Sequence, residues 1–219
     1  TSPPPGVCAM RKSLAKSPLS AAMPMLFLLT SLLPAAGRAD DSNLLGLFYD
    51  TGGTVDQVAI DPYTQHALYL VLLNPVNDGF GGSGTRDVGS VAGFECGIVP
   101  PSGDMLLSVE FPALAINVGS TNNLIVGFAS AVPVSSSRAA TLATVRVMSF
   151  GNNRAGYLLS TATPQSIPGV MAYVDAEDTG DDLVGMMPVS GAFNRPVFWF
   201  GDWNVRENAR WGEVKSLFR

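Results

Sequence analysis

The stretch VAGFECGI, residues 91–98, has apolar side chains at every second position, which is typical of a β-strand with one buried face. The apolar face carries Ala92, Phe94, Cys96 and Ile98. Glu95 falls on the other face, where we expect it to meet solvent. The stretch predicts a strand that lies on a hydrophobic core.

The same alternation recurs further along the chain. In MLLSVEF, residues 105–111, it assigns Met105, Leu107, Val109 and Phe111 to the core and leaves Ser108 and Glu110 outside. In ATVRV, residues 143–147, it buries Ala143, Val145 and Val147 and exposes Thr144 and Arg146. The run ALYLVLL, residues 67–73, is apolar throughout and predicts a central strand.

Turn-forming residues separate these segments. The clusters NPVNDGFGGSG, VPPSGD, NVGSTNN and VPVSSS are rich in Gly, Pro, Asn, Asp and Ser. Short strands with frequent turns predict an all-β fold, a two-sheet antiparallel β-sandwich of jelly-roll or immunoglobulin-like type. No amphipathic helix is predicted before residue 204.

Residues 10–39 have the pattern of a secretory signal peptide, and residues 1–9 lie upstream of it. A basic segment at Arg11, Lys12 and Lys16 precedes an apolar run, and Gly37-Arg38-Ala39 supplies small residues for cleavage before Asp40. A membrane anchor is the alternative, but the apolar run is shorter than the roughly 20 residues that a span requires. We therefore expect three parts: residues 1–39 removed, a sandwich domain at 40–203 and a tail at 204–219. This pattern predicts a secreted, periplasmic or cell-surface protein with no membrane span in the mature chain.

The net charge of the chain indicates which classes of partner are not expected. Residues 1–39 hold four of the 13 basic residues and none of the 18 acidic ones, so residues 40–219 carry nine basic residues and a net charge of −9. Nucleic acids and anionic membranes require a basic surface, so neither is expected as a partner. Cys96 remains as a single cysteine, which cannot form an internal disulfide, and we expect it to be buried and unreactive.

Signals for an enzyme are weak. GFGGSG, residues 79–84, matches a dinucleotide-binding pattern, but another turn and strand follow it instead of a helix. His66 is the single histidine of the sequence, and no nucleophile motif is present with which it could form a catalytic triad. We expect its side chain to be partly exposed. Glu95 and Glu110 are a pair of carboxylates of the kind used in glycoside hydrolysis, but both are predicted on solvated faces. We assign no catalytic residues and no organic cofactor.

An acidic segment, DAEDTGDD at residues 175–182, offers several oxygen ligands at short spacing, as calcium requires. The candidate ligands are Asp175, Glu177, Asp178, Asp181 and Asp182. Met186 stands where an EF-hand loop would have its final Glu, and no helices are predicted around the loop. A solvated acidic loop without calcium is the alternative.

An aromatic segment, PVFWFGDW at residues 196–203, supplies Trp199 and Trp203 as a candidate platform for sugar rings. Side chains alternate along a strand, so one set of these aromatics must face the core. A terminal strand that completes the sandwich is the alternative.

The order of YLVLLNP, VAGFECGI, NLIVGFA and ATLATVRV resembles the cohesin and carbohydrate-binding-module superfamily of bacterial extracellular β-sandwiches. The resemblance covers roughly residues 65–150 and implies a jelly-roll sandwich. Cohesins bind dockerins, and related modules bind polysaccharide, but no motif aligns that would carry over an individual binding residue. The features SIPGVMAYVD and WGEVKSLFR are more similar to uncharacterised exported bacterial proteins.

The final segment, WGEVKSLFR at residues 211–219, spaces its apolar residues like one face of a short helix. These residues are Trp211, Val214, Leu217 and Phe218. A helix this short must dock to be stable, either on its own sandwich or on another protein as a sorting or assembly tag.

Three functions are compatible with the sequence. The leading one is a non-catalytic exported interaction or structural module that binds a protein or cell-surface partner. The alternative is a polysaccharide-binding module with an aromatic platform. A small secreted hydrolase is the remote third.

Overall fold

The computed structural model describes residues 41–78, 85–150, 156–178 and 183–201, and within these ranges the ordered elements are all β-strands. The all-β class is therefore confirmed. The first seven strands are β1 Leu44–Phe48, β2 Gln57–Val58, β3 Thr64–Leu73, β4 Val76–Asn77, β5 Arg86–Asp87, β6 Ser90–Val99 and β7 Met105–Glu110. The remaining strands are β8 Ala115–Asn117, β9 Asn123–Pro133, β10 Ala139–Ser149, β11 Leu158–Ser160, β12 Met171–Asp175, β13 Leu183–Pro188 and β14 Trp199–Phe200.

Most of the strands join one ten-stranded mixed sheet. Its order is β7-β10-β3-β1-β13-β12-β6-β9-β8, and β11 also pairs with β6. The pairs within this sheet are antiparallel except β1 with β13, which run parallel with Leu44 opposite Met187. A two-sheet antiparallel sandwich is therefore not confirmed, because this parallel pair joins the two halves.

The sheet curls around one hydrophobic core. Its main cluster draws on both halves of the strand order, for example Leu70 of β3 and Val145 of β10 on one side and Phe94 and Leu124 on the other. Strand β10 lies close to β6 and β9 across the core. Replacing a large side chain of such a core with alanine costs about 2–5 kcal/mol, so this packing supplies much of the stability.

Several sequence predictions are confirmed. The apolar run at 67–73 lies within β3, which pairs with β1 on one side and β10 on the other. In β10, Val145 and Val147 are fully buried and Arg146 is exposed. Cys96 is also fully buried, which raises the pKa of its thiol.

The prediction for Glu95 was wrong. Its side chain is only 4 % exposed and accepts hydrogen bonds of 2.7 Å from both the backbone N–H and the hydroxyl of Ser166. The segment around Ser166 thus covers the outer face of β6 at this point. Alternation alone could not show it, because the covering residues lie far away in the sequence.

The prediction for β7 was wrong in part. Ser108 pairs with Arg146 and Leu106 with Val147, so Leu107 is an extra residue in a β-bulge. The bulge changes the facing of the strand: Leu106 and Val109 pack on the core, while Met105 and Leu107 are 52 % and 39 % exposed.

Two minor sheets complete the described ranges, β14 with β2 in parallel and β4 with β5 in antiparallel pairing. Those ranges contain no helix that is long and apolar enough to cross a membrane. The upstream residues and predicted signal peptide at 1–39, the loop at 79–84 and the tail at 204–219 lie outside the described residues.

Candidate interaction edge

The sheet order ends at β8, which within the described residues has a partner strand on one side only, β9. We call Leu114 to Val118, which includes β8, the β8 edge. Its local sequence LAINV alternates large apolar and small or polar residues. This pattern suits a strand with one face on the core.

The backbone of the β8 edge has a defined orientation. Ala129 N–H donates to the carbonyl of Leu114 at 2.8 Å, and Val118 N–H donates to the carbonyl of Ile125 at 3.0 Å. Hydrogen-bonding direction alternates along an antiparallel strand. The N–H and C=O groups of Ala115 and Asn117 therefore point away from β9, towards the open side.

The side chains of the β8 edge divide between two faces. Ala115 packs against the core together with Phe128, its neighbour on β9. Leu114, Ile116 and Val118 point to the outer face and are 80 %, 72 % and 72 % exposed. Three large apolar side chains in a row at a sheet edge form a surface that a partner strand would cover.

A glycine leaves room beside this row. Ile116 lies opposite Gly127 of β9, and a Cβ added at Gly127 would meet no atom within 4 Å. The outer face next to Ile116 therefore has open space at position 127. A larger residue at position 127 would fill it with its own side chain.

The β8 edge is firmly held. The Asn117 side chain accepts hydrogen bonds from the N–H groups of Gly119, at 3.0 Å, and Ile125, at 3.1 Å, and donates to the carbonyl of Ser120. These bonds fix the turn that leads into β9. A preformed edge loses little conformational freedom when it binds.

An aromatic cluster packs on the core face of this part of the sheet. Phe94 of β6, Phe128 of β9 and Phe111, just after β7, have ring centroids 5.9–6.5 Å apart. Tilted and edge-to-face contacts of this kind add to the stabilisation from burial.

The sequence around the β8 edge contains no charged residue. From Phe111 to Ser137 the sequence contains no Asp, Glu, Lys, Arg or His. The whole chain has 18 acidic and 13 basic residues, and this is its longest stretch of sequence without a charged side chain. The site is not among those predicted from sequence, although the LxIxV alternation within the uncharged stretch is a signal for it.

The candidate calcium ligands take part in an ion-pair network. Asp175 is fully buried at the end of β12, where it pairs with Arg86 and accepts a 3.0 Å hydrogen bond from the amide of Asn77. Arg86 also contacts Glu177 at 3.1 Å, and the amide of Asn77 also donates to Asp178. The network ties the β4–β5 hairpin to β12.

The calcium prediction remains a prediction. In the parts of the chain that the structure describes, no three His, Cys, Asp or Glu side chains are arranged to hold a metal ion. Asp181 and Asp182 lie outside the described residues. Any ion that used Asp175 or Glu177 would have to compete with Arg86.

Trp199 lies in β14 between two buried aromatics. Phe198 and Phe200 are in the core and pack edge-to-face on Tyr157. Trp199 is half-buried and lies against Gly156, where an added Cβ would come 2.8 Å from the indole nitrogen. Trp203 and the tail residues Trp211, Val214, Leu217 and Phe218 lie outside the described residues, so the platform and the tail remain predictions.

A second surface feature is an exposed aromatic pair. Tyr63 is 74 % exposed and Phe150 is 41 % exposed, and their rings meet edge-to-face at 5.7 Å. Tyr63 has a φ of 62°, which is uncommon for a bulky residue, and its N–H donates to the carbonyl of Ser149. The backbone thus holds this ring outward.

A hydrogen-bonded group lies near the aromatic pair. His66 contacts the Tyr49 hydroxyl through Nδ1 at 3.3 Å and the Thr64 hydroxyl through Nε2 at 2.6 Å. Burial lowers the pKa of His66, and the charge of Asp104 opposes this in part. Asp104 itself accepts hydrogen bonds from the hydroxyls of Ser149 and Tyr157.

The two glutamates considered for hydrolysis do not share partners. Glu95 on β6 accepts a hydrogen bond from the Ser166 hydroxyl. Glu110 on β7 forms a 2.9 Å ion pair with Arg146 on the exposed surface. The hydrogen bond from Arg146, together with its charge, lowers the pKa of Glu110.

Comparison with known proteins yields no family model, no curated protein and no solved structure that matches this chain.

Proposed function

We propose that the protein is a non-catalytic exported interaction module that binds an extended segment of a protein partner along the β8 edge. The observation that carries this proposal is an uncharged edge strand that, among the described residues, pairs on one side only and exposes three apolar side chains, Leu114, Ile116 and Val118. Strand addition of this kind takes its affinity from backbone hydrogen bonds and its specificity from alternate side chains. Export to the periplasm, cell surface or medium is part of the proposal, because of the pattern at residues 1–39.

The test uses a short, capped peptide of alternating valine and threonine with no charge, labelled for fluorescence anisotropy. We expect the wild-type protein to bind it and Ile116→Lys to weaken binding by at least about tenfold, since the lysine replaces apolar contact with a solvated charge. The matched control is Met105→Lys on β7, which is 52 % exposed and should leave binding unchanged. Equal binding by both variants would contradict the proposal.

A second candidate function, polysaccharide binding, has one supporting observation. The Tyr63 ring is the most exposed aromatic among the described residues and is held outward by its backbone. Aromatic rings at exposed sites stack on the apolar faces of sugars. We expect Tyr63→Ala to abolish retardation by soluble polysaccharide in affinity electrophoresis if this function holds, whereas Ile116→Lys should have no effect on it.

Calcium binding at 175–182 is an optional part of the proposal. Among the described candidates, Asp178 accepts a 3.0 Å hydrogen bond from the amide of Asn77. An ion that binds only the folded protein must raise its melting temperature. We expect millimolar calcium to raise the melting temperature of the wild type more than that of Asp178→Asn, and an equal response of both would exclude this residue as a ligand.

A further inference from the structure

We infer that the partner of the β8 edge is a second copy of this chain, joined by antiparallel pairing of the two β8 edges about a two-fold axis at Ile116. This inference rests on the proposed function and names the partner for the same site.

The side chains of the β8 edge are self-complementary. With the axis at Ile116, the two Ile116 side chains face each other, and Leu114 of each copy faces Val118 of the other. All three cross-strand pairs on the outer face are then apolar, and apolar pairs directly opposite each other stabilise a sheet. Each side chain of the exposed row then gains an apolar neighbour from the other copy.

The backbone is complementary in the same register. Ala115 and Asn117 have outward-pointing N–H and C=O groups, and the two-fold axis places Ala115 of one copy opposite Asn117 of the other. Each such pair exchanges two hydrogen bonds, and symmetry gives two pairs. No proline occurs between residues 113 and 119 to remove a donor.

Charge favours a second copy over a charged partner. Two acidic molecules repel each other, but this repulsion is weakest where the approaching surfaces carry no charge. The edge and its neighbour β9 lie entirely within the uncharged stretch from Phe111 to Ser137. A basic partner would find no carboxylate in this stretch to bind.

The symmetry is closed. In an isologous contact, β8 of one copy pairs with β8 of the other, so each copy uses its β8 edge. No further β8 edge is then exposed, and association stops at the dimer. Open-ended stacking, the usual hazard of an exposed apolar edge, is thereby prevented.

The first test measures the oligomeric state of the exported protein by sedimentation equilibrium over a range of concentrations. We expect a dimer whose dissociation constant rises by at least about tenfold in Ile116→Lys, because two lysines then face each other across the axis. Met105→Lys should dimerise like the wild type. Thermal unfolding of both variants checks that they remain folded.

The second test fixes the register. Residues opposite each other in a non-hydrogen-bonded pair have Cα atoms about 4.5 Å apart, within the range that a disulfide spans. We expect Ile116→Cys to form an intermolecular disulfide under mild oxidation and Leu114→Cys to form none with itself. A mixture of Leu114→Cys and Val118→Cys should cross-link. Cys96 is buried and does not compete.

The outcomes separate this inference from the proposed function when the peptide is titrated at protein concentrations below the dissociation constant of the dimer, where the β8 edges are not occupied by a second copy. A monomer that still binds the valine–threonine peptide would overturn the inference and leave the proposed function standing, whereas a monomer that binds no peptide would overturn both. A dimer that survives Ile116→Lys or cross-links in another register would overturn the inference. So would dimerisation that begins only after removal of residues 204–219, because the tail would then be the occupant of the edge.

Discussion

The two ends of the sheet, β7 and β8, both expose apolar side chains, but they differ in how their edges are protected. On β7, Leu107 lies in a bulge and Glu110 pairs with Arg146 at 2.9 Å. Bulges and charges are the usual devices that keep an edge from pairing with another chain. The β8 edge has neither among its described neighbours. Exposure alone therefore does not distinguish the two edges, and the proposal for β8 rests on exposure without a bulge or charge.

The largest expected effect comes from removing the support that both edges share. Phe94 is 3 % exposed and contacts Phe111 and Phe128. We expect Phe94→Ala to lower the free energy of unfolding by about 3–5 kcal/mol, measured by chemical denaturation. The variant should lose β8 pairing through unfolding and not through a change at the edge. A loss below about 1 kcal/mol would mean that the cluster does not anchor the sheet.

A smaller effect is expected on the β12 side of the sheet, at the buried ion pair. Arg86→Met would leave the fully buried Asp175 with its Asn77 contact but without a cation. We expect a loss of about 1–3 kcal/mol in unfolding free energy, since an undercompensated buried charge is costly but Arg86 is itself partly exposed. Arg86→Lys, which keeps the charge, should recover part of the loss. Equal stability of Arg86→Met and the wild type would show that the hydrogen bonds from the Asn77 amide and the Glu177 N–H already compensate Asp175.

A pH-dependent effect is expected at His66, on β3 beside β10. Its folded-state pKa lies below the ordinary value of 6.5, so the unfolded chain takes up the proton first as the pH falls. His66 therefore stabilises the fold fully above pH 6.5, and this contribution is lost as the pH falls towards its folded-state pKa. We expect the wild type to lose more unfolding free energy than His66→Gln between pH 7.5 and about pH 5.5. Identical pH profiles would mean that His66 has the same pKa in both states.

The smallest effect is expected at the protected edge itself. The pKa of Glu110 lies below its ordinary value of 4.5, so its ion pair stabilises the fold above that pH and is lost as the pH falls through the lower folded-state value. Both partners are exposed, so we expect Glu110→Gln to change the melting temperature at pH 7 very little. The informative measurement is peptide binding or dimerisation at β7. We expect none, because the bulge at Leu107 remains, and new pairing there would show that Glu110 is the main protection.

The sequence predicted those features that depend on neighbours along the chain. The alternation of Val145 and Val147, the central position of residues 67–73 and the burial of Cys96 all follow from local pattern. Features that depend on distant residues were not predicted. The Ser166 segment covers Glu95, and the bulge opposite Arg146 redirects Leu106, but neither partner is adjacent in sequence.

The same limit applied to the site. The β8 edge becomes visible only when the strand order shows that β8 is terminal, because an identical LAINV segment in a central strand would be covered on both sides. The candidates chosen from sequence were conspicuous in composition, such as the acidic residues at 175–182. Of these, Asp175 and Glu177 are engaged by Arg86, a residue on a strand far away in sequence.

The parallel pairing of β1 with β13 also sets an order of events in folding. Strand β1 can pair with β3 as soon as residue 73 has been synthesised, but its other side stays open until residues 187 and 188 arrive. Pairing between such distant segments is slow, because a long loop must close before any contact rewards it. In a chain that folds while it is synthesised, β1 therefore has an unpaired edge from the time that residue 73 appears until residues 187 and 188 appear. A chaperone or channel that holds the chain extended until β13 emerges would protect this edge in the interval.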